Sequence, residues 1–471
     1  MRKFHFYLGI AVISSFLGCK QEQKVEKLAL TPPMGWNSFN SYGVYLHEEA
    51  AMNNLESMAV KLKPFGYEFF VIDNGWFGEY LLKPGTIFPA EKHASDVNIN
   101  EYGLLQPSKT YFPAGLKRIS DRAHQLGLKF GVHIMRGIPR KAVKLNTPIK
   151  GTQHHAQDIA DTTSICSWCN YNYGVDMSKP GAQEFYNSLV DQLAGWGVDF
   201  IKADDIVPFP KEIEGLANAI AHCGRPMILS LSPGGKVDIN SIDYFKRGNM
   251  LRATNDIWDE QKGIDQNFNA WKKWQGKEEP GFWIDMDMIP FGILQMMSPK
   301  PDGLELSKGK LGIAPKNEKI IQLAGKGWTR RSEFTKDQMY TFITIRALAA
   351  SPLMMGGDVP TLDEFSLSLI TCKEMLECNQ NGVMGKLMFD QDSIEVWNTK
   401  QKNTQNGWLG IFNRGTRPVS FVLEREKLGI DNSVEYVLTD IWMKKNLSLG
   451  DKEIIKPTGV LFIRYREQGV I

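Results

Sequence analysis

The chain has 471 residues, a formal charge of +2, and 42% hydrophobic against 23% charged residues. That is an ordinary globular composition, long enough for more than one domain. With Lys+Arg at 55 and Asp+Glu at 53, no cationic excess exists for a polyanion, which argues against nucleic acid as a partner.

The N-terminus stands apart. "MRKFHFYLGIAVISSFLGCK" carries Arg2 and Lys3, then an apolar run, then Leu17-Gly18-Cys19. This is the pattern of an export signal. Its end resembles a bacterial lipoprotein box, in which the cysteine is lipidated, although Phe16 stands where that box usually has Leu. The run is short for a membrane-spanning helix. The expectation is a signal over residues 1–19, a lipid on Cys19 and a polar tether over 20–29. That places the protein on a membrane, in the periplasm or on the outer cell surface. A plain secreted protein with a coincidental cysteine is the alternative. Five cysteines remain: Cys166, Cys169, Cys223, Cys372 and Cys378. "CSWC" suits a local disulfide in an oxidising compartment. A zinc site needs a second Cys/His pair, and the sequence offers none at sensible spacing, so no metal is expected.

From there, strand and helix alternate. "PPMGWNSF" (32–39) reads as a first strand and "YEFFVID" (67–73) as a second. "KFGVHIM" (129–135) follows the helical "GLKRISDRAHQLG", and "VDFIKADD" (198–205) follows "GAQEFYNSLVDQLAGWG". "PMILSLS" (226–232), "NMLRATND" (249–256), "GFWIDMDM" (281–288) and "SPLMMGGD" (351–358) each follow a further helical stretch. Apolar runs buried on both faces, separated by amphipathic helices, are parallel βα units. Eight of them predict a (β/α)8 TIM barrel over residues 30–385. Past that point the runs shorten and alternate: "KLMFDQDSIEVWNTK", "GWLGIFNRG", "PVSFVLE", "EYVLTDIW", "GVLFIRYRE". They predict a C-terminal antiparallel β-sandwich over 386–471 with a structural role.

Polar residues close the barrel strands: Asp73, His133, Asp204, Ser232, Asp256 and Asp287. Strand ends share one face of a barrel, where active sites are built. Several carboxylates on one face suit acetal cleavage, which needs an acid for the leaving oxygen and a carboxylate across the sugar ring. Lys202, two residues before Asp204, points to the same side and keeps that carboxylate ionised. Arg252, four residues before Asp256, is placed to bind a hydroxyl. The plain alternative for a lone Asp is a helix cap, and for Asp205 that is the preferred reading.

"TPPMGWNSFNSYG" resembles the opening of glycoside hydrolase family 27, which holds the α-galactosidases. The resemblance continues in order through "YEFFVIDNGW", "VDFIKADD", "MLRATNDIWD", "DMDMIPFG" and "LAASPLMMGGDVPTL", and covers nearly all of the mature chain. It implies a barrel with a C-terminal β-sandwich and a retaining mechanism without cofactor or metal. It implies Asp204 as nucleophile and Asp256 as acid/base. Lys202, Arg252, Asp73, Trp36 and Asp287 would contact the sugar. Retention places such a carboxyl pair about 5–5.5 Å apart.

The chain departs from that pattern in the pocket. Asn74 replaces the second acid of an Asp-Asp pair, and Phe39 a tryptophan. His133 stands where many α-galactosidases carry Tyr, with Arg136 nearby, and "SLSPGG" with Ser232 replaces a Cys-Glu-Trp segment. Asn74, His133 and Ser232 are therefore carried as candidate sugar contacts. The leading expectation is an α-galactosidase acting on oligo- or polysaccharides. A β-L-arabinopyranosidase or an isomaltodextranase-like activity stands second, and a catalytically dead glycan-binding lipoprotein third.

Overall fold

The computed structural model describes residues 28–79, 94, 96–233, 235, 237–296 and 330–469. The expected export signal, Cys19 and most of the expected tether lie outside the described residues.

Eight short strands carry the architecture: β1 (Met34–Asn37), β2 (Phe69–Ile72), β3 (Lys129–Met135), β4 (Phe200–Asp204), β5 (Ile228–Leu231), β6 (Met250–Arg252), β7 (Trp283–Asp285) and β8 (Leu353–Met355). They form one parallel sheet in the order β7-β6-β5-β4-β3-β2-β1-β8. Just past β7, Ile289 bridges Met355 of β8 in parallel. Its N–H donates to Met354 O at 2.8 Å and its carbonyl accepts Gly356 N–H at 3.0 Å. The two edges of the sheet therefore meet, as a (β/α)8 barrel requires. Strands this apolar are stable only when covered on both faces. The covering helices include Glu48–Lys61, Leu116–Gln125, Ala182–Gly195, Pro210–His222, Gln261–Trp274 and Lys336–Leu348. Every predicted strand and long helix has a counterpart. The stretch before β6 is short, with a 3-10 turn and helix Ile242–Phe245. Among the described residues, no helix is long and apolar enough to cross a membrane.

Close packing at the barrel wall fixes one small residue. A Cβ on Gly35 of β1 would lie 2.2 Å from Phe69 O of β2, so no larger side chain fits between these strands.

The C-terminal part holds a six-stranded antiparallel sheet beginning at Lys386–Gln391, and a separate pair, Val419–Val422 with Lys452–Ile455. Strand periodicity divides its side chains between two cores. Ile394, Val396, Leu409 and Ile411 face a second core shared with Phe421 and Ile455. Trp397, Trp408, Phe412 and Phe462 join the barrel core instead. Trp397 stacks on Trp271 of helix Gln261–Trp274 with ring centroids 3.7 Å apart. Two layers of sheet over one core are consistent with the expected sandwich.

Candidate active site

The strand ends meet at a cleft of about 810 Å³. Strand β4 builds its centre. Phe200, Lys202 and Asp204 alternate with Ile201 and Ala203, which are fully buried. Lys202 and Asp204 thus share the inner side and both line the cleft.

Lys202 Nζ lies 2.7 Å from Asp73 Oδ2 and 3.9 Å from Asp204 Oδ2. Asp73 is fully engaged: Oδ2 also accepts Asn37 Nδ2 at 2.7 Å, and Oδ1 accepts Asn74 N–H at 2.7 Å. Asp204 Oδ2 contacts His133 Nε2 at 2.9 Å. Asp204 Oδ1 is buried with no hydrogen-bond partner among the described residues. Burial alone would raise the Asp204 pKa, but Lys202, then His133 and Arg252, outweigh it and hold the carboxyl well below the usual range. Asp73 is lowered in the same way, with Lys202 offsetting its burial.

Across the cleft, Arg252 Nη2 binds Asp256 Oδ1 at 2.9 Å and Nη1 reaches Asp287 Oδ1 at 3.4 Å. Asp287 sits at φ 72, a left-handed conformation that Asp tolerates. Its Oδ2 accepts Ile257 N–H at 2.7 Å, which pins the loop carrying Asp256. The Asp256 side chain keeps 47% of its surface open, against 11% for Asp204. Burial raises its pKa, Asp287 and Asp204 add to the rise, and Arg252 only partly opposes it. Asp204 is thus shifted toward its ionised form and Asp256 toward its protonated form. This division separates a nucleophile from an acid.

Asp73, His133 and Asp204 offer ligand atoms within 4.8 Å of one another. The Lys202 ammonium stands 2.7 Å from Asp73 Oδ2 and 3.9 Å from Asp204 Oδ2.

No family model matches the chain. Curated relatives include alpha-galactosidase A of Cellvibrio japonicus, 26% identical over 84% of this chain and 80% of its own length. Alpha-galactosidase 2 of Arabidopsis thaliana is 23% identical over 91% of this chain and 86% of its own. Among solved structures, a GH27 β-L-arabinopyranosidase from Geobacillus stearothermophilus is 36% identical, with TM-score 0.82, covering 94% of this chain and 98% of that one. The chain belongs to glycoside hydrolase family 27. A putative α-N-acetylgalactosaminidase from Bacillus halodurans, 35% identical with TM-score 0.76 over 93% of this chain and 98% of its own, agrees. The protein is an enzyme, a glycoside hydrolase.

The family 27 cleft places most of the sequence-derived candidates together. Phe39, Asp73, Asn74, Lys202, Asp204, Arg252 and Asp256 line it. Ser232 and Asp287 instead line a separate cavity of about 20 Å³, which shares Arg252 and Lys202 with the cleft. Trp36 lines neither. It is fully buried, stacks on Phe70 at 4.8 Å and donates from Nε1 to Gly357 O at 2.8 Å. His133 is fully buried and in contact with Asp204.

Asp205 is not a helix cap. The helix that follows is capped at Phe209. Arg136 binds Asp205 Oδ2 at 3.0 Å and Glu212 Oε1 at 2.8 Å, because a buried guanidinium needs carboxylates around it. Arg136 therefore props the loop after the candidate nucleophile.

Sequence reading missed the outer wall. Trp168, inside "CSWC", lines the cleft from a loop between Ala160–Ile165 and Asn172–Val175. Cys166 and Cys169 are free thiols in this structure. Lys262, Gln266, Asn269 and Lys273 line the cleft from one helix. Their three-to-four-residue spacing was a usable signal.

Proposed function

We propose that this enzyme removes a terminal sugar of galacto ring configuration from an oligo- or polysaccharide, with retention. The carrying observation is the pair Asp204 and Asp256 lining one cleft, Asp204 beside the Lys202 ammonium and Asp256 bound by Arg252. Asp204 Oδ1 attacks the anomeric carbon while the bond to the leaving oxygen breaks. Asp256, more exposed, gives that oxygen its proton. Water then attacks the glycosyl ester, its proton passes to Asp256, and the electron pair returns to Asp204. Lys202 and Arg252 neutralise charge on either side.

α-D-Galactopyranose and β-L-arabinopyranose share the ring and differ in the hydroxymethyl group at C5. The arabinopyranoside is the preferred reading. Its support is 36% identity to the Geobacillus enzyme together with Asn74, which removes a charged acceptor from the sugar pocket. The α-galactoside is the second reading, supported by the Cellvibrio relative at 26%. Beyond Asp256, the polar stripe from Lys262 to Lys273 suits the remainder of a glycan. The test is kcat/KM on the two p-nitrophenyl glycosides, with the first product anomer followed by proton NMR. Turnover with retention is expected on both, faster on the arabinopyranoside. Silence on both, or an inverted product, rejects the proposal.

We further propose residues 30–385 as the catalytic unit, 386–471 as its structural companion, and a lipid anchor at Cys19 holding the enzyme at a membrane surface. Support for the anchor is the sequence pattern alone. Cys19→Ala leaving the protein in the membrane fraction, unlabelled by fatty acid in both forms, would reject it.

A further inference from the structure

His133 lies opposite Lys202 in the register of β3 and β4. Its backbone is anchored, because its carbonyl accepts Trp76 Nε1–H at 2.7 Å. Its ring is fully buried, with Nε2 2.9 Å from Asp204 Oδ2. An ionised carboxylate can only accept, so the proton of this contact sits on Nε2. The other ring nitrogen, Nδ1, is buried with no hydrogen-bond partner among the described residues. A ring kept only for packing would be better served by an apolar side chain, since an unpaired buried polar atom costs free energy. The contact at Nε2 is what the histidine contributes.

We infer that His133 is a positioning residue for the nucleophile: by donating to Oδ2 it turns Oδ1 toward the anomeric carbon and favours release of the carboxylate from the ester. The inference rests on Asp204 being the nucleophile. When Oδ1 bonds to the anomeric carbon, Oδ2 becomes an ester carbonyl and loses its charge. The hydrogen bond from Nε2 then weakens, since a charged hydrogen bond is roughly twice as strong as a neutral one. When water attacks and the bond to Oδ1 breaks, the electron pair returns to the carboxylate and the bond regains its strength. His133 therefore opposes ester formation slightly and assists ester breakdown. Its removal must slow the second step more than the first.

The experiment is pre-steady-state release of p-nitrophenol by the full chain, using whichever p-nitrophenyl glycoside it turns over. The proteins compared are wild type, His133→Phe and His133→Gln. His133→Phe keeps a ring without the donor and should give a burst near one equivalent per enzyme. Its kcat should fall by roughly tenfold or more, KM should fall with it, and azide should speed turnover. His133→Gln, which retains an N–H donor, should recover part of kcat. Loss of kcat without a burst and with KM unchanged overturns the inference, as does His133→Gln behaving like His133→Phe. If His133→Phe does not fold, His133→Met is read in the same way. Turnover by wild type with no covalent glycosyl adduct on trapping would reject the Asp204 assignment itself, a separate failure.

Discussion

Lys202 reaches from β4 to Asp73 at the end of β2, with Nζ 2.7 Å from Oδ2, while standing 3.9 Å from Asp204. One buried ammonium therefore serves two carboxylates that distant parts of the chain deliver to the same point. Burial lowers the Lys202 pKa, but Asp204 and Asp73 more than offset it, and the group stays charged. Lys202→Met leaves two buried carboxylates without their cation. Breaking such a pair by removing one partner costs about 3–5 kcal/mol. The variant should melt well below wild type and lose nearly all turnover. An unchanged melting temperature would show that the pair is not coupled in this way.

The pH profile should follow the two carboxyls. Asp204 titrates below the usual range, so the acid limb of kcat/KM lies low. Asp256 must be protonated to act as the acid, and its raised pKa carries the basic limb to higher pH. Asp287 is one cause of that rise. Asp287→Asn should therefore lower the Asp256 pKa and move the basic limb to lower pH. A limb that stays in place, or moves upward, contradicts this assignment.

Asn74 is the residue on which the sugar preference turns. Its N–H is committed to Asp73 Oδ1, while its side-chain Oδ1 is buried without a hydrogen-bond partner among the described residues. Asn74→Asp restores a charged acceptor. The ratio of kcat/KM for α-D-galactoside over β-L-arabinopyranoside should rise by roughly tenfold, the difference between a charged and a neutral hydrogen bond. Steady-state kinetics on the two substrates measure it, and an unchanged ratio would place the discrimination elsewhere.

The β-rich part is held to the barrel through aromatic packing. Trp271 stacks on Trp397 and donates from Nε1 to Gly385 O at 3.1 Å. Trp271→Ala should destabilise the protein by about 3–5 kcal/mol, read by denaturant unfolding. Specific activity of the folded fraction should stay near wild type, because neither ring lines the cleft.

The alternation of apolar runs with helical stretches made the βα repeat legible, and the i, i+2 spacing of Lys202 and Asp204 told which side they share. Pocket depth was not legible in the same way. Nothing local in "MGWN" says that Trp36 would be sealed against Phe70, or in "GVHIM" that the His133 ring would be buried against Asp204. Those positions depend on register between strands far apart in sequence. Asp205 looked like a cap because the local alternative was cheap, and its partner Arg136 lies 69 positions away. Trp168 was hidden by its neighbours, since "CSWC" draws attention to its sulfurs while the insertion after β3 carries the indole to the cleft wall.

The proposed mechanism requires Asp204 to form the covalent bond. The direct measurement is a peptide map of the enzyme after inactivation by a 2-deoxy-2-fluoro glycosyl fluoride of the preferred sugar. One equivalent of label is expected on the peptide containing residues 199–206, attached at Asp204. Label on Asp256, or inactivation without any covalent sugar, would contradict it.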